Sequence, residues 1–135
     1  MIRALEIAAS PQRALCVLVV EKDSVFRRLV DDRFIARLPC VLVTACGFPD
    51  LATRILVRRV VDALQLRCFA LTDYNPHGLA LMLAYKHGSD KHVHERNACC
   101  PSLEWIGVRS DHIAAEGHIL PRPRNPPGRG TPPWP

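Results

Sequence analysis

Apolar and polar positions alternate along this chain in two rhythms. Ala14–Val20 is an unbroken apolar run, as expected of a strand covered on both faces. After it, Phe26, Leu29, Val30 and Phe34 recur at helical spacing among Arg27, Arg28, Asp31 and Asp32. That pattern predicts a helix over Ser24–Ala36, capped by Asp23 or Ser24. Pro39 closes a loop, and Cys40–Thr44 reads as a second strand. Gly47, Phe48 and Pro49 form a turn into a helix over Asp50–Leu64. Its expected core face is Leu51, Ile55, Val57, Val60, Val61 and Leu64, with Asp50 as cap. Arg67–Thr72 reads as a third strand. Pro76 opens a third helix that carries Leu79, Leu81, Met82 and Leu83 and ends near Gly88. A polar stretch of about 14 residues precedes a fourth strand, Leu103–Val108.

Strands alternating with helices imply right-handed crossovers. The fold class is α/β: an open, mainly parallel four-stranded sheet flanked by helices. At 135 residues the chain is one domain at most. Seven of its 12 prolines fall in the last fifteen residues, so that segment cannot form a core. The expected organisation is a lead-in over 1–13, a domain over 14–113 and a disordered Pro/Arg-rich tail over 114–135.

Composition excludes some classes and weakens others. The net charge is +5, but Arg122, Arg124 and Arg129 in the tail supply three of those charges. Charge alone is therefore a weak argument for a nucleic-acid partner. No apolar run approaches the ~20 residues of a membrane span, so no membrane partner is expected. No basic-then-apolar leader opens the chain, and an intracellular setting is the default expectation. Cys16, Cys40 and Cys68 lie inside strand-like runs, where a thiol behaves as a small hydrophobe. No CxxC pair occurs, which argues against a disulfide framework. His87, His92 and His94 with Cys99 and Cys100 match no familiar zinc spacing.

The candidate chemistry lies at two strand ends. Glu21 follows the first strand, and Asp73 follows the third with Asn75, Pro76 and Gly78 just beyond. Ligands of open α/β sheets bind at the carboxyl ends of the strands. If the first and third strands are neighbours, Glu21 and Asp73 come close enough to share one divalent cation. Asn75, two residues past Asp73, can project the same way. Magnesium takes one or two carboxylates and completes its octahedron with water and phosphate oxygens. Asp23 and Asp50 read instead as simple helix caps.

Four blocks then fall in register: Val17-Leu18-Val19-Val20-Glu21-Lys22-Asp23, Gly47-Phe48-Pro49-Asp50-Leu51-Ala52-Thr53-Arg54, Asp73-Tyr74-Asn75-Pro76-His77-Gly78 and Trp105-Ile106-Gly107-Val108. In order and spacing they resemble a Toprim domain. More narrowly, they resemble the A-type chain of DNA topoisomerase VI and its eukaryotic relative, the meiotic double-strand-break transesterase. The resemblance covers about residues 14–113. It implies a Toprim-like sheet and a type IIB mechanism, in which a tyrosine attacks a DNA phosphate beside a magnesium ion. It also implies double-stranded DNA as partner, dimerisation with A-type subunits, a B-type ATPase subunit, and a nuclear, meiotic or topoisomerase role. The metal residues it points to are Glu21, Asp73 and Asn75. It also points to Arg54 as a DNA-facing residue, and Lys22, Arg58 and His77 are further candidates for phosphate contact, each with a solvated surface position as the alternative.

The chain also departs from that pattern. Its tyrosines are Tyr74, inside the metal motif, and Tyr85, which reads as packing. The family's nucleophilic tyrosine lies in a winged-helix domain that these residues do not include, so no catalytic nucleophile is expected here and cleavage by this chain alone is not expected. Asn75 stands where the second acid of an Asp-x-Asp pair is usual, which weakens magnesium binding. Cys46 stands where lysine is usual, which removes a cationic phosphate contact. Two other readings compete. One is a non-catalytic binding or dimerisation fragment. The other is a receiver-like signalling domain, which also has acids after strand one and an Asp after strand three. No lysine follows the last strand near Leu103–Val108 as a receiver would require, and the receiver leaves Asn75-Pro76-His77-Gly78 unexplained.

Overall fold

The structure, a computed structural model, describes residues 4–7, 13–88, 96–108 and 112. The expected tail over 114–135, and His92 and His94, lie outside them. Five strands form one sheet: β1 (Ala4–Ile7), β2 (Cys16–Val20), β3 (Cys40–Thr44), β4 (Arg67–Leu71) and β5 (Glu104–Ile106). Their spatial order is β1-β3-β2-β4-β5. The four later strands are parallel, as the strand–helix alternation implies. β1 adds an antiparallel edge on β3, with Ala4 opposite Thr44 and Ile7 opposite Val41. Its four residues lack a long apolar pattern, which is why the sequence places them in a lead-in.

Side chains of β2 and β3 alternate between two apolar layers. Val17, Val19, Val41 and Val43 meet Cys68 and Ala70 on one face, under α3 (Leu51–Leu64) and α4 (Pro76–His87). Cys16, Leu18, Val20, Cys40 and Leu42 face the other way, under α1 (Asp23–Asp31) and α2 (Phe34–Arg37). Burial on both sides of β2 and β3 explains their unbroken apolar runs. The helix after β2 therefore covers one face, and the helices after β3 and β4 cover the other. The point where this winding reverses lies between β2 and β4, the usual place for a ligand crevice in such sheets.

Three local expectations need correction. The expected helix over Ser24–Ala36 is two helices. Asp32 and Arg33 break it, with Arg33 in the left-handed region at φ 51°. The break lets Phe34 and Ile35 pack on the same layer as Phe26, Leu29 and Val30. Neither Asp23 nor Ser24 caps α1: the N-cap is Lys22, and Asp23 pairs with Arg27 at 2.6 Å one turn on. On α3 the inward face is Thr53, Arg54, Val57 and Val61, while Leu51 is exposed. Elsewhere the patterns hold. Asp50 caps α3 by accepting from the Thr53 N–H at 2.8 Å, and Pro76 opens α4, which stops at Gly88.

Candidate functional site

Backbone pairing brings the two nominated acids together. Val20 lies opposite Leu71, and the ladder continues one step as the Glu21 N–H donates to the Leu71 carbonyl at 3.1 Å. The Glu21 carbonyl accepts from the Gly47 N–H at 3.1 Å, so β3's following turn holds it from the other side. Its carboxylate is buried, yet it is not orphaned: Oε2 accepts from the Asp73 N–H at 2.8 Å. Oε1 faces His77 Nε2 at 4.0 Å, beyond hydrogen-bond range. Asp73 is more open, and its Oδ2 lies 2.5 Å from Lys22 Nζ. That ion pair holds the Lys22 ammonium above its usual pKa, through its hydrogen bond to Asp73 and then the charge of Asp73, with Glu21 adding a smaller push.

The segment carrying Asp73 is shaped by two glycines. A Cβ at Gly78 would collide with the Asp73 carbonyl, so only glycine lets the first turn of α4 pass so close. Gly107, at φ 141°, sits where a Cβ would stand 3.0 Å from the Thr72 carbonyl. Thr72 is buried and accepts from Trp105 Nε1 at 2.8 Å, and Tyr74 stacks on the Trp105 ring with centroids 5.9 Å apart. Sequence reasoning gave no site role to Thr72 or Trp105. The signal for Trp105 was present in the block Trp105-Ile106-Gly107-Val108, but only the β4–β5 pairing shows that this block braces the Asp73 loop. A hollow of about 220 Å³ opens between these elements, lined by Glu21, Lys22, Asp73 and Tyr74 with Val20, Val25 and Val108.

The remaining nominated residues fall into two groups. Lys22 and His77 stand at the crevice, both exposed, with the His77 ring tilted against Phe48 at 6.2 Å. Asn75 is also there, but its Oδ1 accepts from the Gly78 N–H at 2.8 Å as the cap of α4. Arg54 is only 5% exposed and lies against α4, close to Gly88 and Tyr85. Arg58 donates to Asp62 at 2.6 Å and to the Cys99 carbonyl at 3.0 Å, tying α3 to the loop before β5. Neither arginine opens onto the crevice. Cys46 lies beside it, with its Sγ 3.6 Å from Asp23 Oδ1. Among the described residues no group of three or more His, Cys, Asp or Glu side chains is gathered to hold a metal. No described helix is long and apolar enough to cross a membrane.

Known proteins are similar to this sequence. Residues 16–119 match the Toprim-domain family of the topoisomerase 6 A-type chain and Spo11. The meiotic recombination protein SPO11-2 of Oryza sativa subsp. indica is 43% identical over 98 residues, covering 72% of this chain and 26% of that protein. The A3 chain of DNA topoisomerase 6 from the same plant is 44% identical over 101 residues, 74% of this chain and 23% of that protein. The Mus musculus meiotic recombination protein SPO11 is 43% identical over 99 residues, 72% of this chain and 25% of that protein. The chain thus spans about a quarter of the length of the relatives it matches. It belongs to the TOP6A/Spo11 Toprim family.

Proposed function

We propose that the crevice between β2 and β4 binds one magnesium ion and presents it to a phosphate of double-stranded DNA. The chain would serve as the Toprim module of a type IIB topoisomerase or of a meiotic double-strand-break protein. The observation that carries this reading is the convergence of Glu21 and Asp73 at adjoining strand ends, with the Asp73 N–H on Glu21 Oε2 at 2.8 Å. Two hard carboxylates suit magnesium, which keeps most of its water. The lysine already resting on Asp73 supports the fit, because a cation is held at that carboxylate. Bound there, the ion would neutralise phosphate charge as DNA is cleaved and rejoined.

The chain's own groups have separable parts in this reading. Glu21 and Asp73 hold the ion, and Asn75 orients one of its waters with the lone pair that its cap leaves over. Lys22 and His77 contact the DNA backbone, which positions the duplex without reading sequence. The buried Arg54 and the tethered Arg58 hold α3 against α4 and the β5 loop. Transesterification needs a nucleophile. Tyr85 is only 1% exposed, and Tyr74, though exposed at the crevice, is engaged with Trp105 inside the metal motif, so neither serves as the nucleophile in this reading. The tyrosine would come from outside these residues, and A-type and B-type subunits would be the natural partners, in the nucleus.

The test is DNA binding with and without magnesium. Glu21→Gln and Asp73→Ala should each abolish the magnesium-dependent part of duplex binding while circular dichroism stays unchanged. Equal affinity of the wild-type chain in magnesium and in chelator would remove the metal reading.

A further inference from the structure

Lys22 follows the buried acid in sequence, yet its side chain does not run outward into solvent. It reaches across the gap between β2 and β4 to Asp73, with Nζ 2.5 Å from Oδ2. Its backbone is extended (φ −98°, ψ 132°) at the N-cap of α1, and its side chain makes no capping bond there. The ammonium therefore stands on the carboxylate that the proposed ion needs. A lysine offers three donors and no acceptor, so it cannot join a metal's coordination shell. Ammonium and ion exclude one another at Asp73 Oδ2.

We propose that Lys22 is a placeholder for the cation: it neutralises Asp73 until a divalent ion displaces it, and the freed ammonium then meets the DNA phosphate. The inference rests on the magnesium reading above and adds a mechanism to it. Both side chains are about half exposed, at 53% and 42%. Exposed pairs are weak, so an ion of twice the charge can displace the lysine. The lysine stem is flexible, and a divalent ion between Glu21 and Asp73 repels the ammonium towards the open mouth of the crevice. The mouth is also where a phosphate would approach. Metal and DNA would then bind cooperatively, and by linkage each must tighten the other by the same factor.

Manganese, as a magnetic stand-in for magnesium, makes the test direct. Its affinity for the full chain is measured by electron paramagnetic resonance for wild type, Lys22→Gln and Lys22→Arg, first without DNA and then with a short duplex. Without DNA, Lys22→Gln should bind manganese about twofold to fivefold more tightly than wild type, the range expected for loss of an exposed ion pair. Lys22→Arg keeps the charge and should stay at the wild-type value. Adding duplex should tighten manganese binding in both, through the ion's own contact with phosphate, but by a larger factor in wild type than in Lys22→Gln. If wild type binds the ion and Lys22→Gln binds it equally or less tightly, the placeholder is overturned and the metal site stands. If Lys22→Arg tightens binding as much as Lys22→Gln, the placeholder is likewise overturned, because charge is not the cause. If neither wild type nor Lys22→Gln binds manganese, both readings fall together.

Discussion

At the carboxyl end of the sheet, charged side chains meet across an open crevice. Along the flank of α3, charged side chains turn onto the protein itself. Lys22 and His77 are exposed and Asp73 is half-buried, while Arg54 is 5% exposed and Arg58 is spent on Asp62 and the Cys99 carbonyl. The difference has a structural cause. The crevice is the place where the winding of the sheet reverses, so no helix covers it. The flank lies between two helices and a loop, so Arg54 is enclosed there and Arg58 is partly covered and tied down. Charge that the fold leaves open is available for a ligand, and charge that it encloses is available for stability.

Substitutions can break this contrast. Arg54→Ala should cause the largest change, a loss of about 2–3 kcal/mol in urea unfolding, because it empties a buried volume between α3 and α4. If stability held and DNA affinity dropped instead, Arg54 would belong with the crevice. Gly78→Ala should cost roughly 2 kcal/mol, since its Cβ would collide with the Asp73 backbone carbonyl and force the loop to shift. It should also weaken manganese binding by displacing Asp73, and unchanged binding would show that the loop is not held as described.

Alkaline pH probes the enclosed side. Burial pushes the Tyr85 phenol above its usual pKa, with the charge of Cys68 adding to that and Arg54 opposing it. In the unfolded chain the phenol ionises near pH ~10, whereas in the folded chain it stays protonated. Stability from this group is therefore complete below pH ~10 and declines as pH rises above it. Tyrosinate absorbance that for Tyr85 appears only together with unfolding would bear this out, and ionisation of Tyr85 in the folded chain near pH ~10 would contradict it. The smallest effect sharpens the open side. Asn75→Asp keeps the helix cap and adds a carboxylate, so manganese should bind roughly fivefold more tightly with little change in stability. A variant that binds no better would leave Asn75 as a cap only.

Much of this was legible in the sequence because strands fix what lies at their ends. Unbroken apolar runs mark β2 and β3, and once β2 and β4 pair in register, Glu21 and Asp73 must be neighbours. Asp50, Asn75 with Pro76, and Gly88 are local signals that need no tertiary context, and they bound α3 and α4 as expected. Helix faces were less legible. Leu51 fits the apolar period of α3 and is exposed, while Thr53 and Arg54 are buried, because α4 and the β5 loop pack on that side of the helix. The break at Arg33 left no Gly or Pro to signal it, and packing of Phe34 and Ile35 accounts for it. At the site itself, the acids were visible as residues, but the lysine resting on one of them and the tryptophan bracing its loop were not, since both contacts join distant segments.

Glu21 is held by its main chain from both sides, through Leu71 and Gly47, beyond the last paired residues of the strand. The side chain adds one bond to that frame, accepting from the Asp73 N–H through Oε2, and an uncharged acceptor such as glutamine would keep it. A single change of side chain at this position could yield a domain that keeps its shape and surface but is chemically inert.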